Sequence, residues 1–278
     1  MAAITYSPTR PVAFTHTLNE LAGNVKRVEV EGLDNLIVNR VLLRDLANRV
    51  ERYTSINKKT SQKISVSLRS LGDLSFDIAL DLDEMVNKGD NFLSHFQRDV
   101  RAIHAEIVSN GRKVRVSIVA GHLEKILRLV HNLELHVRKV KSNVHHGMNI
   151  RDKVDQLLLD GKYESQKFHE KRKQRPLAKF IFGESNAALQ AEQEVHSLDV
   201  TTNLLKMLGD QLNVLDSNLL RFQRRLSDLV TELKNADGSL EFTSDDSKLL
   251  EDAVEKARIG SKVFIKMDKD LISANKPN

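Results

Sequence analysis

The feature that most constrains this chain is the step between its large apolar residues. One series runs Ile64, Leu68, Leu71, Ser75, Ile78, Leu82, Met85, Gly89, Phe92. A second runs Val116, Val119, Leu123, Ile126, Val130, Leu133, Val137, Val140, Val144. A third runs Leu205, Leu208, Leu212, Leu215, Leu219, Phe222, Leu226, Leu229, Leu233. Steps of three and four alternate in all of them. On a helix this spacing gathers the apolar groups into one seam that must face a partner helix. On a strand it would scatter them over both faces. Continuation of the first series through Phe96, Val100, Ile103 and Ile107 adds four-residue steps in succession, a stutter that locally relaxes any supercoil.

Long seams need long uninterrupted helices. Only four prolines occur, Pro8, Pro11, Pro176 and Pro277. Aromatic residues are 5% of the chain and Trp is absent, whereas charged residues reach 29%. That balance suits helices better than sheets. The expected fold class is all-α, an elongated antiparallel bundle of long coiled-coil-like helices with an irregular N-terminal arm. Residues 1–32 form that arm in this reading, because Pro8 and Pro11 oppose helix and Val28-Glu29-Val30-Glu31 alternates like a strand. Residues 33–278 read as one elongated helical domain. Its helices are expected at about 34–53, 62–110, 114–173, 184–235 and 244–272, with the polar run Thr54–Gln62 either separating the first two or lying within one helix over 34–110. Leu43, Leu46, Val50 and Tyr53 give the first a short stripe. The phase of the second series slips near Gly147 and resumes with Ile150, Val154 and Leu157. Asn110-Gly111 and Asn235-Ala236-Asp237-Gly238 are turn signals, and Ser244-Asp245-Asp246-Ser247 supplies caps and early negative charge. A helix over 64–109 would span roughly 70 Å, so the expected shape is a rod.

Chemistry is hard to place on such a frame. The chain has no cysteine, which removes disulfides and thiolate ligands. None of its ten histidines falls in a His-x-x-x-His pair, and His145-His146 diverge by about 100° on a helix. His122, His131 and His136 stand beside Arg and Lys, poor company for a metal ion. Gly161-Lys162 lacks the glycine spacing and the following Ser or Thr of a phosphate loop. No catalytic, cofactor-binding or metal-binding residue is assigned, no cofactor is expected, and the chain does not read as an enzyme.

Charge points elsewhere. The net charge of +5 is unevenly held: residues 112–183 carry 17 basic and 7 acidic residues, whereas the stretch after them is acidic. Within the basic stretch Lys171, Arg172, Lys173, Arg175 and Lys179 lead into Phe180, Ile181 and Phe182. Cations at headgroup level beside a short apolar wedge suit contact with an acidic membrane or a partner protein. The sequence therefore reads as a non-enzymatic scaffold or interaction protein, BAR-like in shape only, with itself or another helical protein as partner and an anionic membrane as a further surface. Nucleic acid is disfavoured, because the basic stretch has almost no aromatics for base stacking. The start lacks a signal-peptide layout, so a cytoplasmic or peripheral membrane location is expected. The alternative is an elongated α-helical pore-forming toxin or cell-death effector.

Overall fold

The computed structural model describes residues 10–25, 33–53, 57–166, 192–236 and 238–264. They form helices α1 (Arg10–Asn24), α2 (Leu33–Tyr53), α3 (Lys58–Ser109), α4 (Val116–Gln166), α5 (Glu192–Lys234) and α6 (Ser244–Phe264). Two three-residue strands, β1 (Lys113–Arg115) and β2 (Ser239–Glu241), pair antiparallel. The all-α class is as the stripes demand. Every residue of the 64–107 series is buried, and so is the series from Val116 to Val144. The chain divides into two compact units. Each of α3, α4 and α5 gives a part to both.

The first unit contains α1, Glu84–Arg138, the part of α5 from Leu212, the ribbon and α6. Here α3 and α4 run antiparallel: Asp99 meets His122 while the earlier Glu84 meets the later His136. Helix α5 opposes α4 in the same way, with His131 beside Gln223 and Arg138 beside Asp216. By contrast α1 lies parallel to α6, Thr15 bonding Asp246 and Asn19 bonding Asp252. Phe14, Leu18 and Leu21 of α1 are fully buried, and the Phe14 ring meets Phe242 edge-on at 5.6 Å.

The expected irregular arm is thus corrected over Arg10–Asn24. Pro11 sits in the first turn of α1, where its missing N–H has no intrahelical partner to lose and its fixed φ favours helix. The strand-like Val28–Glu31 lies outside the described residues.

The second unit contains α2, α3 up to Asp83, α4 from Lys139 and α5 up to Gln211. Gly72 lets α2 approach α3 closely, since a Cβ there would stand 3.2 Å from the Arg40 carbonyl oxygen. Arg40 and Arg44 both reach Asp73, and Arg49 pairs with the buried Glu194 at 2.8 Å. Buried Asn39 donates to Thr201 Oγ1 at 2.8 Å.

Helix boundaries differ where capping outweighs apolar pattern. α3 starts at Lys58 rather than 62, because the Asn57 side chain accepts the Thr60 N–H at 3.0 Å. The break before it makes α2 and α3 two helices. The expected slip at Gly147 does not occur. Gly147 is itself a seam position, packed near Leu205 and Ile78, and the buried face continues to Val154 and Leu158 instead of Leu157. Ile150 and Leu157 are half-buried. Toward the end of α5 Val230 and Leu233 are buried, with Leu229 half-buried. The expected extensions 167–173, 184–191 and 265–272 lie outside the described residues.

Both turn signals hold. After α3 the chain passes through Gly111 (φ 60) and Arg112 (φ 70), the latter a left-handed conformation that costs a non-glycine residue about 1–2 kcal/mol. Gly238 (φ 100) serves the turn after α5 without that cost. The ribbon joins the two turns: Phe242 N donates to Arg112 O at 2.9 Å and Val116 N to Gly238 O at 3.1 Å. The apolar stripes carry no sign of it.

Candidate functional site

The eight residues singled out by sequence, Lys171, Arg172, Lys173, Arg175, Lys179, Phe180, Ile181 and Phe182, lie outside the described residues. The site that the described residues do present is a groove of about 760 Å³ in the first unit. Leu127, Arg128, His131 and Asn132 of α4 form one wall, and Leu220, Gln223, Arg224, Ser227 and Asp228 of α5 form the other.

The antiparallel seam creates this groove. Ile126, Val130, Leu219, Phe222 and Leu226 are buried as the core of the two seams. Residues one or two steps round each helix are then pushed to the shoulders. Leu127 and Leu220 remain half-buried as an apolar floor, while Arg128, His131, Arg224 and Asp228 reach solvent. Gln223 Nε2 and His131 Nδ1 stand 3.1 Å apart and tie the walls together. With the amide as donor, the neutral ring keeps its proton on Nε2.

What distinguishes the groove is which cations are paired. Nearby, Arg225 reaches Glu20 at 2.7 Å, Lys234 reaches Glu124, and Arg138 spans the buried carboxylates of Glu134 and Asp216. Hydrogen bonding from Lys234 holds the Glu124 carboxyl below its ordinary range, with the ammonium charge acting in the same direction. Arg128 and Arg224, in contrast, make no ion pair at contact distance among the described residues, although the Arg128 charge also helps to lower Glu124. Asp228 is the single acidic residue lining the groove. Two open guanidiniums, an imidazole, two amides and a hydroxyl can together hold an anion by charge-assisted hydrogen bonds.

Sequence reasoning noted His131 beside basic neighbours but did not pair it with α5. The signal was there in part: Arg128 and His131 are one helical turn apart, as are Arg224 and Ser227. Other histidines have structural partners. His122 Nδ1 is 3.0 Å from the buried Asp99, and His104 Nε2 is 2.8 Å from Ser247 Oγ and 3.2 Å from Glu251. Among the described residues no group of three His, Asp or Glu side chains is arranged to hold a metal ion. No described helix is long and apolar enough to cross a membrane.

No protein-family model matches the sequence, and no curated protein matches it. One solved chain similar to this one belongs to the AhlB pore of the tripartite alpha-pore forming toxin AHL from Aeromonas hydrophila. It is 12% identical, and the match covers 95% of this chain and 86% of that chain at a TM-score of 0.21.

Proposed function

We propose that this chain is a non-enzymatic helical scaffold that works through surface contact and associates with acidic membranes. The observation that carries the reading is the cationic shoulder of the first unit, where Arg128 and Arg224 are exposed without an ion pair among the described residues. Exposed surface cations attract anionic lipid over about a Debye length, each contributing about 1 kcal/mol near the surface. The composition of 171–182 supports the same reading. Its five cations add attraction, and Phe180, Ile181 and Phe182 add apolar burial that salt does not screen.

Co-sedimentation with liposomes, with dye leakage read in parallel, tests this. Acidic vesicles should pellet the protein at low salt, neutral phosphatidylcholine vesicles should not, and both should stay sealed. Reversing Lys171, Arg172, Lys173, Arg175 and Lys179 to Glu should strongly weaken binding. Phe180→Ser with Phe182→Ser should leave weak binding that salt removes. Absence of binding to acidic vesicles would refute the membrane association. Leakage would favour the pore-forming alternative over the scaffold.

A further inference from the structure

Resting on that membrane reading, we propose that the α4–α5 groove of the first unit is a headgroup site that selects phosphatidylserine from other anionic lipids. The charges lining the groove are two guanidiniums, Arg128 and Arg224, and one carboxylate, Asp228. A phosphoserine headgroup carries the complementary set: a phosphate, a carboxylate and an ammonium. Guanidinium groups take phosphate and carboxylate oxygens in a fork of parallel N–H donors, which a point charge cannot do. Asp228 then has a role that a purely cationic patch would not give it, accepting from the ammonium. In phosphatidylglycerol, with one anionic group and no ammonium, the second guanidinium and Asp228 both go unmatched.

The rest of the lining agrees. Asn132, Gln223 and Ser227 offer neutral donors and acceptors beside the charged groups, and Leu127 and Leu220 give an apolar floor. A volume of about 760 Å³ falls within the usual range of roughly 300–1,000 Å³ for small-ligand clefts. The His131–Gln223 contact fixes the two walls in register before any ligand arrives.

The test compares phosphatidylserine–phosphatidylcholine vesicles with phosphatidylglycerol–phosphatidylcholine vesicles of equal charge density. The unmodified chain should bind the serine vesicles more tightly. Arg128→Gln with Arg224→Gln should lower serine-vesicle binding about 30-fold, two cations at about 1 kcal/mol each. Asp228→Asn should narrow the preference between the two lipids, leaving the part that comes from the second guanidinium, while keeping binding to both. All three positions are exposed, so circular dichroism and the urea midpoint should not change. Competition by soluble glycerophosphoserine against serine vesicles, using the unmodified chain, makes the result independent of the variants and should release the protein. Equal binding to both vesicles, with the groove variants without effect, overturns the site and leaves the membrane association to 171–182. Binding of soluble glycerophosphoserine without vesicle binding overturns lipid docking. Binding to neither vesicle overturns both this site and the scaffold's membrane association.

Discussion

Asp246→Ala is the substitution whose effect can be worked out most fully. Asp246 is 2% exposed and its two oxygens have separate duties. Oδ2 accepts the Thr243 N–H at 2.8 Å and the Thr243 hydroxyl at 2.6 Å, and Thr243 Oγ1 in turn accepts the Asp246 N–H at 3.2 Å. This is a capping box at the start of α6, with Asp in the place usually held by Glu. Oδ1 accepts from Thr15 Oγ1 of α1 at 3.1 Å, in a region where Thr15 is itself fully buried. Loss of the cap costs about 1 kcal/mol. Loss of negative charge in the first turn costs about 0.5 kcal/mol. The hydrogen bond to a charged buried acceptor is worth about 1.5–3 kcal/mol. The first unit should therefore lose about 3–4.5 kcal/mol. Thr15→Val removes the hydroxyl that bonds Asp246, so a double-mutant cycle, which isolates the shared term, should give a coupling of about 1.5 kcal/mol. Urea denaturation measures the totals, and hydrogen exchange should place the loss in α1 and α6 while α2 keeps its protection. A coupling below about 0.3 kcal/mol would refute the claim that this pair docks α1.

Two further outcomes follow from the same structure. Leu219→Ala should cost about 2–5 kcal/mol, because Leu219 is fully buried in the α5 seam, whereas Val214→Ala, at a side chain 63% exposed, should stay within about 0.5 kcal/mol; urea midpoints decide. Burial pushes the Asp90 carboxyl above its ordinary 3.8, and its Oδ1 is buried without a hydrogen-bond partner. The native state thus disfavours the ionised form, so stability is greatest below the unfolded pKa and falls as pH rises through the folded one. Asp90→Asn should be more stable than the parent at about pH 7, with a margin that closes as the pH is lowered; a pH-independent margin would show that desolvation is not the cause.

The sequence made the helices and their buried faces legible because a three–four step leaves few alternatives. The arm is illegible when proline counts as a breaker at any position, since Pro11 occupies the first turn of α1. The end of the α4 seam is misplaced when Gly147, unlike Gly89 of the first series, is left out of the stripe; its lack of a side chain is what lets Leu205 and Ile78 approach. The ribbon was illegible for a different reason: Lys113-Val114-Arg115 and Ser239-Leu240-Glu241 are three residues each, too short to show a period. The groove depended on interhelical register. Nothing in α4 alone says that His131 will stand opposite Gln223 rather than a residue one turn away.

The parallel pairing of α1 with α6 has a consequence for how the chain emerges during synthesis. α1 precedes the other described helices, and α6 follows them all. The second unit is complete once Gln211 has been made, so it can consolidate while translation continues. Among the described residues Phe14, Leu18 and Leu21 are the first buried side chains to be made, and their partner helix is the last, so they wait for it throughout that interval. For a growing chain this is the period of greatest exposure to aggregation or chaperone capture. A slowly translated stretch between α5 and α6 would lengthen it without altering a single contact of the finished protein.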